Sequence, residues 1–131
     1  MIGIDTNLLV RIFAADDARQ AEAASKLLDR SGPRQVLVNV IVLVEFGWTM
    51  HRAYKWDEDW IRQALNMIVR HPALVIQHRG AVLEAIANSN TAAPTFADRL
   101  IAALNLAEGC DTTLTFDKEA AGEAGFKEHE I

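Results

Sequence analysis

The feature that most constrains this chain is the alternation of short apolar runs with longer helix-like segments. One such segment repeats apolar residues at i, i+3, i+4 and i+7, the spacing of an amphipathic helix: Ile61, Ala64, Leu65 and Ile68. The strand-like runs are brief and rich in β-branched or aromatic residues, and they cover residues 2–4, 36–38, 74–76 and 112–116. Short strands separated by helices predict parallel β-α-β units with right-handed crossovers, and therefore an α/β fold.

Polar caps and helix breakers predict where the helices begin and end. Thr6 or Asn7 can cap a helix that follows the first strand, and Asn39 and Asp57 can cap two later helices. Gly109 is expected to end the last long helix. The later predicted helices run over about residues 18–30, 39–54, 57–72, 80–87 and 95–108, with a loop over 88–94.

Length and composition indicate a single domain that spans residues 1–131 and needs no disulfide bonds. The single cysteine, Cys110, allows neither an internal disulfide nor a cysteine-based zinc site. The longest nearly apolar run, from Val36 to Phe46, contains two polar residues and falls short of the ~20 residues of a membrane span. The chain starts with Met-Ile-Gly-Ile and then an acid, which leaves no room for a secretion signal. We therefore expect a cytoplasmic protein with no membrane partner.

Net charge narrows the class of nucleic-acid partner. The formal net charge is -5 at pH 7, so the field of the whole molecule repels a polyanion. That argues against a general nucleic-acid binder. It leaves a nuclease open, because carboxylates gathered around metal ions stay negative only until the cations bind.

Four acidic residues stand where a carboxylate needs a partner: Asp5, Glu45, Asp98 and Asp117. Asp5 and Asp117 follow predicted strands, and parallel α/β sheets bind ligands outside the carboxyl ends of their strands. Glu45 lies in an apolar helix segment with no Lys or Arg one turn away. Each acid alone has an ordinary structural explanation, as a cap, a turn residue, a helix-dipole residue or half of an ion pair. The four together form a more specific pattern than any one of them.

The segments around these acids resemble the sequence blocks of the PIN-domain family. Ile4-Asp5-Thr6-Asn7 is similar to the opening block and Glu45 to the helical glutamate. Residues 96–102 (Phe-Ala-Asp-Arg-Leu-Ile-Ala) and 113–117 (Thr-Leu-Thr-Phe-Asp) are similar to the third and last blocks. Size and block order are most similar to VapC-type toxins of bacterial toxin-antitoxin systems. The resemblance implies a PIN-like three-layer α/β/α sandwich with a short, mainly parallel central sheet of four to five strands.

The resemblance also implies a site and its chemistry. Four carboxylates would converge on one or two Mg²⁺ or Mn²⁺ ions: Asp5, Glu45, Asp98 and Asp117. Three further side chains would orient them: Thr6, Asn7 and Thr115. Hard divalent cations prefer oxygen ligands, and they stabilise the negative charge that builds up during phosphodiester hydrolysis. The prediction is an Mg²⁺- or Mn²⁺-dependent ribonuclease.

One position departs from the family pattern. Many relatives carry a further acid three positions before the equivalent of Asp98, where this chain has Thr95. The departure weakens a second metal site and favours single-metal catalysis over the two-metal form. It also keeps open a second hypothesis, a PIN-like binding module with little or no catalytic activity that acts through partner assembly. A structure-specific DNA nuclease is a weaker hypothesis, because the chain lacks the long insertions and basic regions that would grip a duplex.

Basic and aromatic side chains near these blocks predict how RNA could be held. Four cations close in sequence to the acidic blocks are candidate phosphate contacts: Arg11, Arg52, Arg99 and Lys118. Arg99 could instead pair with Asp98 or with a carboxylate of a protein partner. Trp48, Trp56 and Trp60 mix with basic residues as in a base-stacking surface, although burial against the core or a second copy is the more common role of such aromatics.

By resemblance, three partners are expected. They are an RNA substrate, a second copy of the chain in a homodimer, and a cognate antitoxin protein whose segment occupies the acidic groove. The resulting hypothesis is the toxin of a type II toxin-antitoxin pair that hydrolyses RNA.

Overall fold

The structure, a computed structural model, describes residues 1–14, 16–89, 95–122 and 125–130. Within these residues there are seven helices: α1 (Thr6–Phe13), α2 (Ala18–Arg30), α3 (Val40–Tyr54), α4 (Glu58–Arg70), α5 (Arg79–Asn88), α6 (Phe96–Ala107) and α7 (Lys118–Ala121). The same residues form five strands: β1 (Ile2–Gly3), β2 (Val36–Val38), β3 (Leu74–Ile76), β4 (Thr113–Thr115) and β5 (Phe126–Glu128). The chain divides into two compact units, Met1–Gln77 and His78–Ile131, which are described separately. A single domain over residues 1–131 stays a prediction.

The first unit is built on a parallel three-stranded sheet in the order β1-β2-β3. Val36 pairs with Ile2 on one side and with Leu74 on the other. Two helices separate each pair of neighbouring strands, which is the β-α-β arrangement that the sequence predicts. Val36 and Val38 are completely buried, so the central strand lies inside the core of this unit.

The helices of the first unit each bury one apolar side. Completely buried side chains include Leu9 from α1, Leu43 and Phe46 from α3, and Leu65 from α4. The ring of Phe13 meets the ring of Phe46 edge-on, with centroids 5.4 Å apart. This packing fixes α1 against α3, and it thereby positions the residues at the start of α1 relative to the middle of α3.

Carboxylate or amide side chains begin all four helices of the first unit. Each accepts a hydrogen bond from a backbone N–H of the first turn, and the caps are Asp5, Asp17, Asn39 and Asp57. The predicted caps Asn39 and Asp57 are confirmed. The prediction that Thr6 or Asn7 caps the first helix is wrong, because Asp5 already has extended backbone and a carboxylate in reach of the first turn. Thr6 is therefore the first helical residue.

The second unit combines a pair of helices with a two-stranded sheet. α5 packs against α6, and Val82 of α5 and Leu100 of α6 are buried. β4 pairs in parallel with β5, with Thr113 opposite Phe126. The sequence pattern predicts neither β5 nor the short α7. Residues 126–128 contain a single apolar side chain, so β5 depends on its pairing with β4 and not on its own composition.

Most other boundaries agree with the sequence. β2 and β3 occupy the predicted residues, and α6 ends before Gly109, whose φ of 100° lies in the left-handed region that favours glycine. Of the predicted loop 88–94, residue 88 belongs to α5, and residues 90–94 lie outside the described residues. The predicted α/β class with short parallel strands is confirmed. None of the helices in the described ranges is long and apolar enough to cross a membrane.

Candidate active site

Asp5 connects the first strand to the first helix. It follows β1 by two residues and caps α1, its Oδ1 accepting a hydrogen bond from the backbone N–H of Leu8 at 3.1 Å. The side chain is exposed. Because the cap engages one oxygen, the carboxylate has a fixed orientation while it remains open to solvent and to a ligand.

Glu45 is brought to the same place from a distant part of the chain. It lies on an exposed side of α3, and its Oε1 accepts a hydrogen bond from the hydroxyl of Thr6 at 3.0 Å. Thr6 directly follows Asp5 in the chain, so its contact with Glu45 brings the two predicted metal ligands of the first unit close together. Asn7 is exposed and lines a groove of about 280 Å³ between α1 and α2, together with Leu8.

Asp98 is engaged at the start of α6. Thr95 is the N-cap of this helix, and the two residues form a capping box. The backbone N–H of Thr95 donates to Oδ2 of Asp98 at 3.2 Å, and the Thr95 hydroxyl is 3.4 Å from the same oxygen. The threonine that replaces the expected acid therefore caps the helix and orients Asp98.

Asp117 also begins a helix. Its Oδ1 accepts hydrogen bonds from the backbone N–H groups of Glu119 at 2.9 Å and of Ala120 at 3.4 Å, and so caps α7. The hydroxyl of Thr115 accepts a hydrogen bond from the backbone N–H of Asp117 at 3.0 Å. Thr115 thus contacts the last predicted acid of the site, and the Asp117 side chain is exposed.

The four predicted ligands divide between the two units. Asp5 and Glu45 belong to the first unit, and Asp98 and Asp117 belong to the second. Over its described residues, neither unit gathers three His, Cys, Asp or Glu side chains into a group that could hold a metal ion. Each pair is therefore an incomplete set of ligands by itself, and convergence of all four acids on one metal remains a prediction.

Arg11, a predicted phosphate contact, lies in a network with three protein partners. Its Nε donates to Gln20 at 2.8 Å, and one terminal nitrogen contacts Asp16 at 2.9 Å and the hydroxyl of Tyr54 at 3.0 Å. The same hydroxyl donates to Asp16 at 2.8 Å. The Tyr54 hydroxyl, and then the Asp16 carboxylate, raise the pKa of Arg11 above its ordinary value despite desolvation. An RNA contact from Arg11 stays a prediction, while its present contacts join α1 to the end of α3.

The other predicted cations have different surroundings. Arg52 is exposed near the end of α3 and lies over the ring of Trp48. Lys118 is exposed at the start of α7. Arg99 is half-buried in α6 and lines a cavity of about 190 Å³ in the second unit, with Glu84 and Asp111 among the other lining residues. Their contacts with RNA remain predictions.

Sequence reasoning missed two kinds of residue. It did not single out Tyr54 and Asp16, which hold Arg11, because the contacts of Tyr54 join parts of the chain far apart in sequence. It also did not single out Glu84, which lines the cavity beside Arg99. The lone aromatic hydroxyl at the end of α3 was the one available signal, since a half-buried Tyr usually finds a hydrogen-bond partner.

Comparison with known proteins identifies the family. A search of curated proteins finds no match to this chain. A family model described as PIN domain matches residues 2–125, a span that includes all four acids and extends through both units. The chain therefore belongs to the PIN domain family.

Proposed function

We propose that this protein is a metal-dependent endoribonuclease and the toxin of a type II toxin-antitoxin pair. PIN domains are generally metal-dependent nucleases, and the matched residues contain every acid of the candidate site. The narrower assignment, to RNA as substrate and to VapC-type toxins, is supported by the chain's size and by the order of its sequence blocks. The proposed reaction is hydrolysis of RNA phosphodiester bonds.

The observation that carries the proposal is the hydrogen bond from Thr6 to Glu45. It joins the start of α1 to the middle of α3 and places a second carboxylate beside the residue that follows Asp5. The ion pairs seen within the first unit engage other acids, namely Asp16, Glu22 and Asp59. Neighbouring carboxylates repel each other, and a divalent cation bound between them reduces that repulsion.

The donor chemistry of this pair fits a hard divalent cation. Asp5 and Glu45 offer carboxylate oxygens, which Mg²⁺ and Mn²⁺ prefer over nitrogen and sulfur. Asp98 and Asp117 are the proposed additional ligands, since neither unit supplies three within its described residues. When bound, the cation neutralises charge on the phosphodiester and lowers the pKa of water.

Each carboxylate is oriented by a hydrogen bond within its own unit. Thr6 donates to Glu45, and backbone N–H groups donate to Asp5 and Asp117. The backbone N–H of Thr95 donates to Asp98. Carboxylates that are already oriented do not have to rearrange as charge develops, and this preorganisation is a main source of electrostatic catalysis. The proposed role of these contacts is to hold the acids ready for the cation.

Asp5→Asn tests the proposal with little effect on the fold. Asn caps a helix about as well as Asp, but it removes the charge that would bind the cation. RNA cleavage in Mg²⁺ or Mn²⁺ is expected to fall about 100-fold or more, as for the loss of several kcal/mol of charge stabilisation. The matched control is Asp57→Asn, the same change at the cap of α4, which should cleave RNA like the unmodified protein.

Two results would contradict the proposal. One is equal RNA cleavage by the unmodified protein in excess chelator and in Mg²⁺. The other is full cleavage by Asp5→Asn while its thermal unfolding matches that of Asp57→Asn.

The proposed partners are RNA, a second copy of the chain and a cognate antitoxin, in the cytoplasm. Light scattering of the purified protein is expected to give the mass of a homodimer. Expression of the chain in a bacterial host is expected to arrest growth, and coexpression of the antitoxin should relieve the arrest.

The capping box at Thr95 supports one alternative function. Because a threonine that caps α6 stands where relatives carry an acid, the second unit has fewer ligands for a metal. The alternative is a catalytically weak or inactive PIN-like module that acts through partner assembly. Growth arrest that is unchanged by Asp5→Asn would favour the module over the enzyme.

A further inference from the structure

One side of α3 is exposed along its whole length. Its residues recur at i, i+4, i+7 and i+11, and they are Ile41, Glu45, Trp48 and Arg52. At 3.6 residues per turn, these positions fall within roughly a sixth of the helix circumference. The opposite side is buried in the core and carries Leu43, Phe46 and Met50. The exposed side therefore continues directly from a proposed metal ligand, Glu45, to an aromatic and a basic residue.

Trp48 and Arg52 contact each other on this side of α3. The guanidinium carbon of Arg52 lies 5.7 Å from the centroid of the Trp48 ring, within the range of a cation–π interaction. Trp48 is 50% exposed. Burying an indole stabilises the folded state because it removes a large apolar area from water, and a half-exposed indole gains only part of that stabilisation. The chain keeps an aromatic face in water with a cation fixed beside it.

The other tryptophans have different surroundings. Trp56 is half-buried, and its ring packs edge-on against Phe13 with centroids 6.3 Å apart. Trp60 lies on α4, with its ring 6.1 Å from that of Trp56. Packing against the core thus accounts for Trp56, but it does not account for Trp48.

We propose that the Trp48–Arg52 pair binds single-stranded RNA, with one base stacked on the indole and an adjoining phosphate paired with the guanidinium. The assignment rests on the proposed function, because RNA is the substrate of that function. Aromatic stacking combined with a cation is the usual, sequence-tolerant means of holding a single strand. Glu45 lies about one helical turn from Trp48, ~5 Å along the axis. A base held on Trp48 therefore keeps a neighbouring phosphodiester close to the acidic pair.

The charges on this side of α3 favour RNA over a second protein chain. A protein that covered the side would bury Glu45 and Arg52, and each buried charge is costly unless it is paired in good geometry. An RNA strand brings a phosphate to Arg52 and leaves the rest of the helix open to water. Lys55, exposed just after α3, adds a second positive charge at the same end of the helix as Arg52.

Binding measurements test the Trp48–Arg52 pair apart from catalysis. The probe is a fluorescein-labelled single-stranded RNA of mixed sequence, and its anisotropy is followed in Mg²⁺ on the Asp5→Asn chain, in which cleavage is expected to be lost. Trp48→Ala should weaken the Kd about tenfold, the effect of losing one stacked base. Trp48→Phe should restore most of the affinity. The matched control Trp60→Ala, which removes an exposed tryptophan from α4, should bind RNA like the Asp5→Asn parent.

Arg52→Gln provides a second measurement, which removes the cation and keeps the Trp48 indole in the chain. It should weaken the Kd several-fold and reduce the slope of log affinity against log salt by about one, as expected for one lost phosphate contact. Equal Kd values for Trp48→Ala and Trp60→Ala, or an unchanged salt slope in Arg52→Gln, would overturn the assignment.

Light scattering distinguishes an RNA surface from a protein interface. The mass of Trp48→Ala should equal that of its parent, and a fall in mass would show that this side of α3 joins two copies instead. Failure of the proposed function has a separate signature, since it appears as absent metal-dependent cleavage by the unmodified chain. RNA affinity that still depends on Trp48 would then support the binding assignment alone.

Discussion

Phe46→Leu is expected to lower the free energy of unfolding by about 1–2.5 kcal/mol. The Phe46 side chain is completely buried, and its ring meets that of Phe13 edge-on. Losing an edge-to-face pair is worth about 0.5–1.5 kcal/mol beyond burial. The smaller and differently shaped leucine adds roughly 0.5–1.5 kcal/mol for imperfect packing. The expected loss stops at about 2.5 kcal/mol, below the sum of the two upper values, because neighbouring side chains relax into part of the space that the ring leaves.

Urea unfolding followed by circular dichroism measures this loss. The midpoint should fall by roughly 0.3–2.5 M with the slope unchanged, for a typical slope of about 1–3 kcal/mol per molar urea. The matched control is Phe116→Leu, which makes the same change at a ring that is 66% exposed. Its midpoint should stay close to that of the unmodified protein, because exposed substitutions are usually within about 0.5 kcal/mol of neutral.

A double-mutant cycle isolates the ring pair. Phe13→Leu and Phe46→Leu together should destabilise less than the sum of the two single changes, by about 0.5–1.5 kcal/mol, because both remove the same contact. Additive effects would show that the rings do not stabilise each other. A loss from Phe46→Leu no larger than that from Phe116→Leu would refute the reasoning about the core of the first unit.

Two further predictions concern single side chains. Thr6→Val keeps the shape of the side chain but removes the hydrogen-bond donor to Glu45, so RNA cleavage should fall about fivefold to tenfold, whereas Thr6→Ser should retain most of the rate. Equal cleavage rates for Thr6→Val and the unmodified protein would show that the contact is not needed. Asn39→Ala removes the cap of α3 and should lower the free energy of unfolding, measured in urea, by about 1 kcal/mol, whereas the control Asn39→Asp keeps the cap. Equal stability of the two variants would contradict this account of the cap.

Local signals in the sequence were sufficient for most of the first unit. Asn39 and Asp57 begin their helices because each side chain caps the turn that follows it, a relation that spans three residues. β2 and β3 are short runs of branched apolar residues, a composition that favours buried strands. The same approach failed for residues 126–128, where the strand depends on a partner and not on its own composition.

The candidate site shows the same division between local and distant information. Position in the sequence marked Asp5 and Glu45 as acids that need a partner, but only the resemblance to a family assigned them to a metal site, since an isolated acid has ordinary structural explanations. The contact between Thr6 and Glu45 depends on how α1 packs against α3, and no pattern within either segment encodes it. The network of Arg11 with Tyr54 arises from the same packing and was not predicted for the same reason.

The order of strands in the first unit has a consequence for how the chain folds. β2 is central, yet each of its partners lies beyond two helices in sequence. Closing such long segments carries an entropic cost before any pairing is gained, so helix formation and the local contact of α1 with α2 should precede the sheet. During synthesis on a ribosome, the edge of β2 that pairs with β3 would stay unpaired until β3 leaves the ribosome. That interval is when the nascent chain is most exposed to aggregation through its unpaired strand.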